Sequence, residues 1–299
     1  MSRELCVVGL VYFELDVTLA VGALTSTAAG QEAFVAQLPA RLGGALNTAS
    51  VARALGCDVT LCHPLGGGVT DRAVAAVVAD LSIEARTWPA VDDPAVSLVV
   101  RSNSDRSFVS AADLNVLAYC PELPAAPWIH VPGLHEAELL APQLCTARER
   151  GSRVSVSGSW VPSLFERLSA AVHTTPPVTG WDLLLLNAKE ASSIVENREQ
   201  WPRLRALAHE VIVTEGAQGA TLFGPSGRLK VDARPTKVVD ATGAGDAFAA
   251  GFLAARVRGA DDRVALELGA AAAAEVLAMA GGVVLQHARF KELGGSRAK

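Results

Sequence analysis

The run Asp240-Ala241-Thr242-Gly243-Ala244-Gly245-Asp246-Ala247-Phe248 leads directly into an apolar, helix-forming stretch that continues through Gly251, Phe252 and Leu253. Small side chains at Gly243, Ala244 and Gly245 let the N–H groups of a helix N-terminus point into open space, which makes an anion hole. Asp246, in the first turn, would stand beside a developing negative charge, a position suited to taking a proton from an attacking hydroxyl. The same residues would also serve a tight turn in which Asp246 complements the helix dipole, and spacing alone does not separate the two roles.

Four other sets of residues have chemistry-bearing types. Asn187 and Glu190, three apart at a helix start, project to one side and could organise Mg²⁺ and its waters, or Asn187 could simply cap the helix. Thr214, Gly216 and Gly219 follow the apolar run Val211 to Val213, where glycines let a ligand lie against backbone or make a plain turn. Gly43 and Gly44 permit close approach to the backbone, and Asn47 carries both a donor and an acceptor for hydroxyls. Asp16 follows the first strand, where a turn role competes with ligand binding. The chain carries no Gly-x-x-x-x-Gly-Lys-Ser/Thr loop, no protein-kinase glycine loop with its downstream Lys and His-Arg-Asp, and Gly9 lacks the further glycines of a dinucleotide fingerprint.

These residues need a scaffold, and the hydrophobic pattern supplies one. Short apolar runs at Cys6 to Val8, Val59 to Leu61, Trp128 to Val131, Val154 to Val156, Leu183 to Leu186 and Val211 to Val213 read as strands covered on both faces. Helix patterns fall between and after them, at Ala45 to Ala54, Arg72 to Ala79, Glu136 to Arg150, Ser163 to Ala171, Lys189 to Glu196, Asp246 to Arg256 and Asp262 to Ala278. The alternation predicts an α/β fold, a doubly wound and mostly parallel sheet with helices on both faces. Tyr12 to Leu38 and Thr87 to Ala112 break the pattern; Val96 to Val100 and Arg106 to Ser110 look like paired strands of a small antiparallel sheet, either a lid or a solvent-facing hairpin. No linker or repeat divides the 299 residues, so one domain is expected.

Composition narrows the partners. The chain is 50% hydrophobic and 19% charged, and its 26 basic residues against 31 acidic ones argue against a nucleic-acid surface. Val264 to Leu285 carries Glu267 and Glu275 among Ala and Gly and reads as a buried helix rather than a membrane span, while Glu4 interrupts what a signal peptide would need. The cysteines Cys6, Cys57, Cys62, Cys120 and Cys145 are odd in number and scattered, the pattern of reduced thiols in a cytoplasm; Cys62 and His63 adjoin, but no further ligand lies at metal-site spacing.

Asp240 to Leu253 resembles the C-terminal signature of the ribokinase-like (PfkB) family of carbohydrate and nucleoside kinases, with Ala241 where the family more often has Thr. Gly43-Gly44-Ala45-Leu46-Asn47-Thr48-Ala49, followed by Gly56 and Gly66, is similar to its N-terminal signature; Asn187 to Glu190 is similar to its Asn-x-x-Glu, and Thr214 to Ala220 to its Thr-x-Gly-x-x-Gly segment. The resemblance covers essentially the whole chain. It implies an ATP-dependent kinase for a primary hydroxyl of a sugar or sugar-like molecule, with Asp246 as general base and Gly243, Ala244 and Gly245 as anion hole. It further implies ATP beside Asn187, Thr214, Gly216 and Gly219, with Mg²⁺ organised by Asn187 and Glu190. Substrate would lie against Asp16, Glu14, Gly43, Gly44 and Asn47 under a lid bearing Phe108. A monovalent cation such as K⁺ would sit beside Asp240, with Gly281 and Gly282 completing its site, and two lids would pair in a homodimer.

Departures leave the substrate open. Glu14-Leu15-Asp16 stands where ribokinases carry Asn-x-Asp, which removes two donors and adds a charge. Ser157-Gly158-Ser159-Trp160 replaces the family's Asp-x-Asn-x-Arg. A nucleoside acceptor is the next reading, with Tyr12, Phe13 and Phe108 as base-stacking surfaces, and a scaffold that binds without turnover is the third.

Overall fold

A computed structural model of the chain describes residues 4–22, 28–101, 106–159, 161–173 and 180–279, with Phe290 and Leu293. In chain order its first half gives β1 (Glu4–Val8), β2 (Val11–Asp16), β3 (Ala40–Gly44), α1 (Ala45–Ala54), β4 (Asp58–Leu65), α2 (Val69–Asp80), β5 (Glu84–Pro89), β6 (Ala95–Arg101), β7 (Arg106–Ala112) and β8 (Trp128–Val131). Then follow α3 (Leu134–Leu139), α4 (Ala141–Glu149), β9 (Arg153–Ser157), α5 (Pro162–Ala171), β10 (Trp181–Asn187), α6 (Ala188–Ile194), β11 (Ala208–Thr214), β12 (Ala220–Gly224), β13 (Gly227–Val231), α7 (Ala244–Arg256) and α8 (Asp262–Leu277).

The large sheet has the order β13-β12-β11-β10-β9-β8-β1-β4-β5. Its strands pair in parallel from β5 to β11, and β12 and β13 close one edge as an antiparallel hairpin. Alternate side chains of each strand enter different cores, as a period of two requires. Leu5, Val7, Leu61, Leu183, Leu185 and Ile212 pack with the buried faces of α1, α2, α7 and α8. Cys6, Val8, Ile129, Val156, Leu184 and Val213 pack on the other side with residues of α3 to α6. This is the doubly wound α/β arrangement expected from the apolar runs. The small sheet, in the order β3-β2-β6-β7, is antiparallel at its two outer pairs and parallel where β2 meets β6.

Several expectations need correction. Thr87 to Pro89 belongs to β5 of the large sheet, paired with β4, so the small sheet begins at Ala95 rather than at Thr87. On the N-terminal side it is built from β2 and from β3, which starts beyond Leu38. Glu136 to Arg150 is two helices, not one: Leu140 leaves the helix at φ −89°, ψ 3°, and Pro142 cannot donate the N–H that would carry the ladder through. The hairpin β12–β13 escaped the sequence reading altogether. Gly281 and Gly282 lie outside the described residues, as does Trp160.

Two close backbone approaches set the positions of α1 and α7. Gly44, at φ +66°, begins α1; a Cβ there would strike the Leu10 carbonyl oxygen, which instead accepts the Ala45 N–H at 2.9 Å. Helices α7 and α8 meet through Gly251 and Gly269: a Cβ on Gly251 would fall 2.7 Å from the Leu268 carbonyl oxygen, and one on Gly269 would fall 2.9 Å from that of Phe248. Gly251→Val should therefore force the helices apart and destabilise the fold by about 1–3 kcal/mol, read by urea unfolding. A variant as stable as the parent would show that the two helices do not depend on this contact.

Candidate active site

Because the strands from β5 to β11 run in parallel, Gly9, Pro132, Gly133, Ser157, Asn187 and Thr214 all fall at or just beyond carboxyl ends on one rim of the sheet, the rim where open α/β sheets bind ligands. Two cavities open there, of about 610 Å³ and about 380 Å³, and both are walled by Gly243 and Asp246 at the start of α7.

Gly243 is the N-cap of α7, held at φ +78° with no side-chain cap, so the first N–H groups of the helix have no intrahelical acceptor. The Ala244 N–H closes a turn onto the Ala241 carbonyl at 3.3 Å, leaving Gly243 and Gly245 as the freer members of the expected anion hole. A Cβ on Gly245 would meet nothing within 4 Å, so the protein's own packing does not require glycine there and the space in front of the helix is open. Asp246 is half-buried, and its Oδ2 accepts a hydrogen bond from Asn47 Nδ2 at 2.8 Å.

The larger cavity is lined by Asn187, Thr214, Gly216 and Gly219, as the sequence indicated. It is also lined by Lys189 and Arg234, which sequence reasoning did not single out as site residues, and its far wall is the apolar Ala270, Ala273, Ala274 and Leu277 of α8. A cationic rim facing an apolar floor suits a molecule with anionic groups at one end and a flat apolar group at the other. Asn187 and Glu190 form a reciprocal capping box at α6, Asn187 Oδ1 accepting from Glu190 N and Glu190 Oε2 accepting from Asn187 N, each at 2.9 Å. Burial pushes the Glu190 carboxyl up against the opposing pull of these hydrogen bonds. Among the described residues no cluster of three or more His, Cys, Asp or Glu side chains could hold a metal. Glu190 lines a neighbouring cavity of about 100 Å³ together with Asn187, Thr214, Gly245 and Asp246, where its remaining oxygen could meet a magnesium ion held mainly by phosphate oxygens and water.

The smaller cavity collects Tyr12, Glu14, Gly44, Asn47, Phe108 and Glu136, with Ser97, Ser110, His135 and Ser159 adding polar groups. Phe108 and the serines Ser97 and Ser110 come from β6 and β7, so the small sheet forms one wall. Two expected residues are not part of the lining. Asp16 turns its Oδ1 to Thr18, accepting from its N–H at 3.1 Å and its hydroxyl at 2.5 Å, the turn role that competed with ligand binding. Gly43 makes room for protein instead, since its missing Cβ is replaced by the Glu14 carboxylate. Phe13 packs on the core, leaving Tyr12 and Phe108 as the aromatic surfaces.

Asp240 is buried and serves the loop. Its Oδ1 accepts from Thr242 N at 2.9 Å and from the Thr242 hydroxyl at 2.6 Å, while its Oδ2 faces Arg41 Nη1 at 3.7 Å. Arg41 Nε donates to Glu14 Oε2 at 2.6 Å, so a buried guanidinium joins the small sheet to the anion-hole loop. In the sequence, nothing beyond its place before Gly43 and Gly44 distinguishes Arg41.

On the rim of an α/β sheet the chain thus presents two adjoining cavities with a carboxylate and open helix N–H groups between them. The pfkB family carbohydrate kinase profile matches residues 3–285, and the chain belongs to that family, whose members are kinases acting on sugar hydroxyl groups. A 1-phosphofructokinase of Haloferax volcanii is 28% identical over 251 residues, 80% of each chain. Arabidopsis thaliana ribokinase, solved with ribose and ATP, superposes with a TM-score of 0.71 at 20% identity over 99% of both chains. The nucleoside kinase of Methanocaldococcus jannaschii, an archaeal member of the ribokinase family, does so at 0.68 and 18%, covering 96% of this chain and 98% of the other.

Removing Arg41 should leave Glu14 and Asp240 as uncompensated buried charges. Arg41→Met is expected to lower stability by about 3–5 kcal/mol in chemical unfolding, and Glu14→Gln in the same chain to restore part of it. Unchanged stability in the single variant would contradict the buried bridge.

Proposed function

We propose that the enzyme transfers the γ-phosphate of ATP to a primary hydroxyl of a sugar or a sugar-bearing small molecule, with ATP in the larger cavity and the acceptor in the smaller. The observation that carries this reading is that Asp246 belongs to both cavities and is aimed by Asn47. In the transfer, the acceptor oxygen forms the bond to the γ-phosphorus as the bond to the bridging oxygen of ADP breaks, and the hydroxyl proton passes to the Asp246 carboxylate. The N–H groups of Gly243 and Gly245 hold charge on the moving phosphoryl group, and Lys189 and Arg234 stand where the remaining phosphates would lie. Magnesium, when bound, would neutralise phosphate charge beside Glu190.

A nucleoside acceptor is the second reading, because Tyr12 and Phe108 give the smaller cavity two aromatic faces against which a base would stack. The small sheet acts as the lid in either case. Its surface away from the cavity pairs Leu98 with Val109, 38% and 67% exposed, a patch that two copies would cover by apposing lids.

Asp246→Asn keeps the hydrogen-bond geometry but removes the base. Its turnover should fall by at least ~10²- to 10⁴-fold with ATP binding retained, measured by coupled ADP release over pentoses, hexoses, sugar acids, sugar phosphates and nucleosides. Near-normal turnover would take Asp246 out of the mechanism, and ATP binding without turnover of any acceptor by the parent enzyme would favour a non-catalytic binding protein. A monovalent cation beside Asp240 should make activity higher in KCl than in choline chloride of the same ionic strength; equal activity would show that Arg41, 3.7 Å from Asp240 Oδ2, suffices as the positive charge there.

A further inference from the structure

Glu136 is one of three carboxyls lining the smaller cavity, with Glu14 and Asp246, and no step of the phosphoryl transfer uses it. It sits on α3 just after the carboxyl end of β8, and its side chain is turned inward: Oε1 accepts the Leu10 N–H at 2.9 Å. Oε2 accepts no hydrogen bond from the described residues and lies against the two glycines that make room for it. A Cβ on Gly9 would fall 2.9 Å from that oxygen, and one on Gly133 would fall 3.3 Å from it. A carboxylate buried with one oxygen anchored and the other left toward a cavity is unfavourable unless something pairs with it, because desolvation is offset only by hydrogen bonds or opposite charge.

The surrounding charges do not offset it. Asp246 at the start of α7 bears on it with the same sign, Tyr12 and Glu14 come from β2, and the one nearby guanidinium among the described residues, Arg41, is engaged by Glu14 and Asp240. His135, half-buried on the same helix, lines the same cavity. A hydroxyl donor brought by a ligand would complete the arrangement.

Resting on the reading of this cavity as the acceptor site, we propose that Glu136 is a specificity-determining residue: its Oε2 accepts a hydrogen bond from a hydroxyl of the acceptor other than the one Asp246 deprotonates. The carboxylate form makes that bond, since a hydrogen bond to an ionised acceptor is the stronger kind. The acceptor is then required to present at least two hydroxyls, as a sugar or a ribonucleoside does. Burial, with a smaller contribution from Asp246, raises the Glu136 carboxyl to about 7 in the free protein, so the binding form grows across the neutral range.

The test compares the parent with Glu136→Gln, which keeps an acceptor for the Leu10 N–H, using ribose, fructose, fructose 1-phosphate and cytidine with Mg·ATP at pH 6 and pH 8. With an ionisation near 7, the parent's KM for whichever acceptor is turned over should fall about tenfold from pH 6 to pH 8, while the KM for ATP does not follow it. In Glu136→Gln the KM for the acceptor at pH 8 should rise about tenfold or more and lose its pH dependence, with kcat changed less.

Melting curves report the burial separately. The carboxyl ionises nearer 7 folded than its usual 4.5, so stability is greatest where it is neutral and falls as pH rises from about 4.5 through about 7. That slope should flatten in Glu136→Gln. Should the glutamine variant fail to fold, Glu136→Asp, which keeps the charge on a shorter arm, should show the same rise in the acceptor KM. Parent turnover with an unaltered acceptor KM and pH profile in the folded variant overturns the role of Glu136 alone. A parent that turns over none of the four acceptors overturns the kinase reading for these acceptor classes and the role of Glu136 with it.

Discussion

Asn47 and Asp246 are 199 positions apart in the chain, and their side chains meet at 2.8 Å. Everything about the site depends on that meeting being held. Asn47 lies in the first turn of α1 and Asp246 in the first turn of α7, so the hydrogen bond fixes two helix N-termini at the mouth of the site. The two helices pack directly on each other, and α7 is backed by α8 across Gly251 and Gly269. Space stays open in front of Gly245, where a Cβ would meet nothing within 4 Å. A carboxylate aimed by an amide, beside unsatisfied N–H groups, is then a consequence of packing rather than of any local preference.

Charge follows the same logic. Five fewer basic than acidic residues would look unfavourable for handling a nucleotide, yet the positive potential required is local: helix N–H groups, Lys189 and Arg234 on one wall, and a metal when bound. Arg41 is engaged internally, holding Glu14 and Asp240, so the smaller cavity, which we propose as the acceptor site, contains carboxyls and hydroxyls with little cationic character among the described residues. That balance favours acceptors read through hydroxyl hydrogen bonds over acceptors read through a phosphate or carboxylate.

Much of this was legible in the sequence. The continuous apolar runs marked the parallel strands, because strands covered on both faces have no polar alternation to confuse the pattern, and the helix Ala45–Ala54 was bounded correctly by Gly44 and Gly56. The residues around Asp246 were legible as a helix start with open N–H groups, and it was their resemblance to a family signature, not their spacing, that suggested chemistry. What escaped depends on partners distant in sequence. Arg41 is an ordinary basic residue until Asp240, far along the chain, faces it. Glu136 looks like an ordinary acid in a helical pattern until the Leu10 N–H and Gly9 define its pocket. Asp16 and Gly43 have residue types that suit a ligand, yet neither lines the cavity: Thr18 bonds the Asp16 carboxylate, and the Glu14 carboxylate lies where a Gly43 Cβ would be. The break at Leu140 was readable from Pro142, whose position inside the helical pattern outweighed the periodicity around it.

If one carboxylate stands between a nucleotide cavity and an acceptor cavity, a crystal structure of the enzyme with Mg²⁺ and a non-hydrolysable ATP analogue will show it most directly. The adenine should lie against the α8 wall of the larger cavity and the γ-phosphate at the N–H groups of Gly243 and Gly245, with the Asp246 carboxylate facing it from the acceptor side. A triphosphate bound in the smaller cavity, or one whose γ-phosphate lies away from the start of α7, would contradict that arrangement.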